Sequence, residues 1–148
     1  MTEAIWYFDF ISPFASLRFS RLCQLPPDLH VTIKPVLFSG LHFRHKGPAE
    51  IPSKRRFVYR FFRWLAAQRS VPFNMPPTNP FQPLSPLRPA TAAGATAEAV
   101  GTIFDFIYGR GQDVPTERRK RTAKSAIALM LYARLPDGPC GTVIAAGR

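Results

Sequence analysis

The residues with the clearest chemical opening lie in "DFISPFASL", Asp9 to Leu17, where an apolar run meets Ser12 and then Pro13. A hydroxyl at the end of a strand and the start of a helix lies among unpaired backbone N–H groups, at the positive end of the helix dipole. Two uses of Ser12 are open: it caps the helix, or its hydroxyl donates a hydrogen bond to an anion such as a thiolate brought by a ligand. Disulfide exchange is excluded here, because "SPFA", Ser12 to Ala15, holds no cysteine.

Other reactive side chains are sparse. Cys23 and Cys140 are far apart and form no CxxC or metal-ligand spacing, so neither a disulfide framework nor a zinc site is indicated. His42 and His45 sit with Lys46 in the glycine- and proline-punctuated stretch "SGLHFRHKGPAEIP", too few for a metal site, and no metal is expected. Phe57, Phe61, Trp64 and Leu65 recur at helical spacing, and this stripe is assigned to the core, although the aromatics could border a substrate.

The elements that must position Ser12 follow from the pattern around it. Ala4 to Phe10 is a short, aromatic-rich apolar run bounded by a proline, which predicts a buried strand. Pro13 at the first helical position opens a helix whose apolar face carries Phe14, Leu17, Leu22, Cys23 and Leu25, up to "PPD" at Pro26. "VTIKPVLF", Val31 to Phe38, predicts a second strand, parallel to the first because a helix intervenes, with Pro35 at an edge or bulge. Ser53 to Arg69 predicts a helix with arginines opposite its apolar stripe. Residues 71 to 86 hold six prolines and predict an irregular crossing, and Arg88 to Tyr108 predicts a helix stopped by Gly109.

The order and spacing of several motifs carry a family resemblance. "YFDFISPFASL", "PVLFSGL", "GPAEIPSKRRF", "VPFNMPPTNPF", and "LRPATAAG" running into "IFDFIYGRGQD" together resemble the 2-hydroxychromene-2-carboxylate isomerases. These form a DsbA-like branch of the thioredoxin superfamily related to kappa-class glutathione transferases. Thioredoxin-like proteins begin a CxxC at the corner that Ser12 occupies here.

The resemblance implies an α/β fold: a thioredoxin-like β-α-β unit with an inserted helical domain over about residues 50–110. It also implies a glutathione-dependent isomerase acting on a small aromatic substrate in aromatic-hydrocarbon breakdown, by ring-opening cis-trans isomerisation to a benzylidenepyruvate. A kappa-type glutathione transferase is the neighbouring reading. Ser12 matches the family serine that hydrogen-bonds the glutathione thiolate, and Lys54 matches the lysine of a P-x-K motif suited to a carboxylate. His45 falls in the loop where kappa-class relatives carry asparagine, and completes the expected cofactor contacts. Gln82, where the family has asparagine after "PF", and Arg88 are the expected substrate contacts.

After about Val114 this likeness stops. No "GVPT"-like cis-proline motif and no Asp-Arg pair follows, so the C-terminal thioredoxin half reads as missing, and residues 117–148 as a basic tail from a truncated or frameshifted gene. A sheet without that half is expected to be weakly stable.

Charge bears on partners. The 148 residues carry 20 Lys and Arg against 9 Asp and Glu, a formal charge of +11. The excess is concentrated after residue 116, where "ERRKRTAK", Glu117 to Lys124, offers an alternative function in binding a polyanion or nucleic acid. A solvated tail is the simpler account of that run, since no nucleic-acid-binding motif accompanies it. No apolar run approaches a membrane span and no signal peptide is evident, which predicts a cytoplasmic protein without a membrane partner. Homodimerisation is implied by the resemblance alone.

Overall fold

A computed structural model of the chain describes residues 2–38 and 51–114. Two strands, β1 (Thr2–Phe8) and β2 (Leu29–Pro35), pair in parallel, with Ile5 opposite Thr32 and Tyr7 opposite Lys34. Helix α1 (Pro13–Phe19) and a single 3₁₀ turn (Leu22–Gln24) connect them. Among the described residues three helices follow: α2 (Pro52–Gln68), α3 (Leu84–Ala92) and α4 (Ala97–Phe104), the last running into a wider π turn (Asp105–Gly109). The order is that of a β-α-β unit followed by a helical layer, as the sequence pattern predicts.

Alternation along the strands decides which face is buried. Phe8, Val31 and Ile33 lie in the core, with Trp6 half-buried beside them, while Ile5 and Tyr7 on the opposite face are 51% and 54% exposed. The main core joins this sheet face to α3, α4 and the π turn through Phe10, Leu87, Ala90, Ile103, Phe104, Ile107 and Tyr108. Phe10 sits 4.8 Å from Phe104 and 5.1 Å from Phe8, ring centre to ring centre. Such contacts contribute about 0.5–1.5 kcal/mol each beyond burial.

A second cluster, Leu17, Phe62 and Ala66, holds α1 against α2. Phe73 bridges the two clusters, 6.2 Å from Phe62 and stacked 5.7 Å from Tyr108. The irregular proline-rich crossing that carries Phe73 runs to Pro83 and includes a cis Asn79–Pro80 bond.

Several expectations need correction. The buried face of α2 is Phe62 and Ala66, with Val58, Phe61 and Leu65 half-buried, whereas Phe57 and Trp64 are 72% and 58% exposed and do not belong to the core. Two apolar stripes at helical spacing lie side by side in "FVYRFFRWLAA", and the one with small Ala66 admits the close approach of α1. Helix α1 ends at Phe19 and does not continue to Leu25, because Ser20 turns its hydroxyl onto the Leu17 carbonyl at 3.0 Å.

The stretch expected as one helix from Arg88 to Tyr108 is two. Gly94 and Ala95 adopt left-handed backbone, and Thr96 restarts the helix by accepting the Ala99 N–H at 3.2 Å. The first of the two begins at Leu84, earlier than expected, since Pro86 falls in a first turn that needs no N–H from it. The strands also end sooner than their apolar runs, at Phe8 and Pro35.

Candidate active site at the β1–α1 corner

Past Phe8 the chain leaves the sheet and turns into α1, and this corner is tied from three sides. Asp9, only 1% exposed, accepts the Ile11 N–H on Oδ1 at 3.1 Å and the Phe38 N–H on Oδ2 at 2.8 Å. The Ser12 N–H donates to the Asp9 carbonyl at 3.2 Å. One carboxylate thus fixes the turn and fastens it to the segment leaving β2. Charge-assisted bonds of this kind are what allow a carboxylate to be buried.

The third tie comes from the far end of the described chain. Tyr108, fully buried, donates its hydroxyl to the Phe10 carbonyl at 3.0 Å. Burial, then the Asp9 carboxylate, then Tyr59 push the Tyr108 phenol well above its ordinary value, so it remains a neutral donor. Tyr59 itself donates to the Asn79 carbonyl at 3.2 Å.

On this fixed corner Ser12 is the N-cap of α1, in extended backbone (φ −90°, ψ 110°) with Pro13 behind it. Its Oγ accepts the Ala15 N–H at a long 3.4 Å. The cap is weak by geometry. Among the described residues no group accepts the Ser12 proton, and the side chain is half-buried, so the hydroxyl retains a donor. Phe14, two residues further on, is 48% exposed and sets its ring 4.5 Å from Phe62 and 6.0 Å from Phe61. An aromatic wall therefore stands beside the serine.

The other expected site residues are more scattered. Lys54 is exposed in the first turn of α2, eight residues before Phe62, about 12 Å along the axis from the α1 contact. No hydrogen bond joins its side chain to Ser12 among the described residues. Gln82 and Arg88 are exposed, just before and within α3, and no hydrogen bond or ion pair joins their side chains to another described residue. His45, His42 and Lys46 lie outside the described residues, as do Cys140 and the basic run 117–124. Among the described residues no three His, Cys, Asp or Glu come together to hold a metal ion, and no helix is long and apolar enough to cross a membrane.

Asp9 and Tyr108 are the site-forming residues that sequence reasoning missed. A lone acid inside "WYFDFI" was a signal for the first, whereas nothing local to Tyr108 showed that it would reach back to Phe10.

Comparison with known proteins bears on the fold. A solved structure of 2-hydroxychromene-2-carboxylate isomerase superposes with a TM-score of 0.63 at 19% identity, covering 90% of this chain and 72% of that one. No curated protein gives a significant sequence match. The model of the DSBA-like thioredoxin domain matches residues 4–128, past Val114, where the motif resemblance ended. With its β-α-β corner, its helical layer and a match over most of its length, the chain belongs to the DSBA-like thioredoxin domain family.

Proposed function

We propose that the protein is a glutathione-dependent isomerase of the 2-hydroxychromene-2-carboxylate isomerase kind, with a kappa-type glutathione transferase as the nearest neighbouring activity. The observation that carries this reading is the Ser12 corner: a thioredoxin-like active-site position with a hydroxyl donor and no cysteine at Ser12 or Ala15. Such a site cannot exchange disulfides. It fits a thiol supplied from outside, because the Ser12 backbone is held in place and its half-buried hydroxyl has a proton to donate.

Glutathione, when bound, would supply a thiolate that adds to the chromene, allows the ring to open and turn, and is then expelled unchanged. The chain's own residues do the rest. Ser12 donates a hydrogen bond that favours thiolate over thiol, lowering its pKa. Asp9 and Tyr108 hold the turn so that this donor does not swing away. Lys54 attracts a carboxylate of glutathione or substrate from the rim, and Gln82, Arg88 and His45 are assigned to polar contacts around the aromatic substrate. Phe14 offers its exposed ring to it.

Thermal unfolding of the purified chain with and without millimolar glutathione, beside Ser12→Ala, tests the proposal. A ligand at a hundred times its dissociation constant stabilises by about 2.7 kcal/mol, a rise of several degrees in the midpoint for a chain of this size. Wild type is expected to show that rise and to interconvert 2-hydroxychromene-2-carboxylate and its benzylidenepyruvate, and Ser12→Ala is expected to lose both. An equal rise in Ser12→Ala, or no rise in wild type, would sink it.

A further inference from the structure

Helix α2 conflicts with the rules of helix stability. It carries Lys54, Arg55, Arg56, Arg60 and Arg63 and no acidic residue. Lys54 lies in its first turn, where the helix dipole disfavours a cation, and with no acidic residue in α2 no i,i+4 ion pair within the helix offsets its positive charge. On its solvent side Phe57 and Trp64 are 72% and 58% exposed. Half-buried Phe61 stands between them, with ring centres 6.4 Å from Phe57 and 6.0 Å from Trp64. At about 100° per residue, Arg60 adjoins that ridge, and Arg56 and Arg63 continue the same row about a quarter turn further round the helix. The exposed rings of Phe57 and Trp64, edged by arginine, serve neither the core nor the Ser12 site, while Phe61 between them packs partly against the core.

We propose that this face of α2 is a peripheral docking surface for an anionic lipid bilayer, the aromatics entering the headgroup boundary while the arginines meet lipid phosphates. Charge complementarity and ridge shape select this occupant. Tryptophan and phenylalanine on one strip with arginine beside them are the composition of helices that lie in the membrane interface. A single-stranded nucleic acid would need open ring faces in a groove. Here the ridge lies along the convex surface of a single helix and lines no groove. The surface adds a peripheral membrane contact to a protein for which the sequence predicts no membrane partner, and it does not depend on the glutathione reading.

The test is co-sedimentation of the whole chain with vesicles of phosphatidylcholine alone or mixed with phosphatidylserine, at low salt. A Trp6→Phe background leaves Trp64 as the lone fluorophore. Binding to the phosphatidylserine vesicles alone is expected, with a blue shift of Trp64 emission. Replacing Arg56, Arg60 and Arg63 together by Gln should weaken it about a hundredfold, from the usual contribution of each cation near an anionic surface. Phe57→Ser with Trp64→Ser should weaken it about tenfold or more without moving the thermal midpoint.

Four results would overturn the proposal. These are no sedimentation with phosphatidylserine, and sedimentation without a Trp64 shift, which would place the contact on the basic run 117–124. The others are a Trp64 emission already blue in buffer in a concentration-dependent dimer, and displacement of the vesicles by a single-stranded oligonucleotide that binds more tightly.

Discussion

Tyr108 is a phenol without solvent, whose hydroxyl holds the Phe10 carbonyl and whose surroundings include the Asp9 carboxylate. Its raised pKa has a consequence for stability whose sign is fixed. The unfolded chain releases the Tyr108 proton near pH 10, whereas the folded chain keeps it to higher pH, so unfolding above about pH 10 is coupled to proton release. The contribution is fully present below that value and is lost as pH rises through the folded pKa. Urea unfolding of wild type is therefore expected to weaken between about pH 10 and 11 more steeply than that of Tyr108→Phe. Near neutral pH the variant should be less stable by about 1–2 kcal/mol, because the buried Phe10 carbonyl loses its donor. Parallel pH profiles for the two proteins would contradict the assignment.

At the scale of elements, the contrast between the two stripes of α2 is open to direct measurement. Phe62 is buried between α1 and the Phe73 bridge, so Phe62→Ala leaves a cavity and is expected to cost about 3–5 kcal/mol. Phe57→Ala, one turn away on the solvent side, is expected to change stability by less than about 0.5 kcal/mol. Chemical denaturation of both checks the pair, and comparable losses would return Phe57 to the core. The example also shows what was legible. Strand, helix and parallel strand could be read from "IWYFDFISP" and "VTIKPVLF", because apolar runs broken by capping signals report elements directly. Which of two adjacent stripes is buried could not be read from periodicity, since that choice belongs to the partner helix. The break at Gly94 and Ala95 was hidden for a similar reason: alanine-rich sequence suits a helix on either side of it, and only the Thr96 cap marks the restart. In the site, Ser12 was legible from its own neighbours, while the ties from Asp9 to Phe38 and from Tyr108 to Phe10 span 29 and 98 residues and arise only on folding.

For the molecule as a whole, the sheet poses the remaining physical question. Parallel strands are ordinarily covered on both faces, as the crossover helices that join them dictate. Here one face of β1 and β2 meets the core, and the other presents Ile5 and Tyr7 beside Thr32 and Lys34. Replacing Ile5 and Tyr7 together by Thr, which puts a strand-favouring β-branched side chain at both positions, separates an open face from a covered one. With the face open, the double variant is expected to keep its stability within about 1 kcal/mol and to self-associate less on gel filtration, since two exposed apolar side chains are gone. A loss of more than about 3 kcal/mol would instead show that these side chains are buried in solution, because only the removal of packed surface costs that much. The measurement bears on function as well. Ser12, Asp9 and Phe10 all follow directly from β1, so whatever steadies that strand also steadies the corner on which the hydroxyl is held.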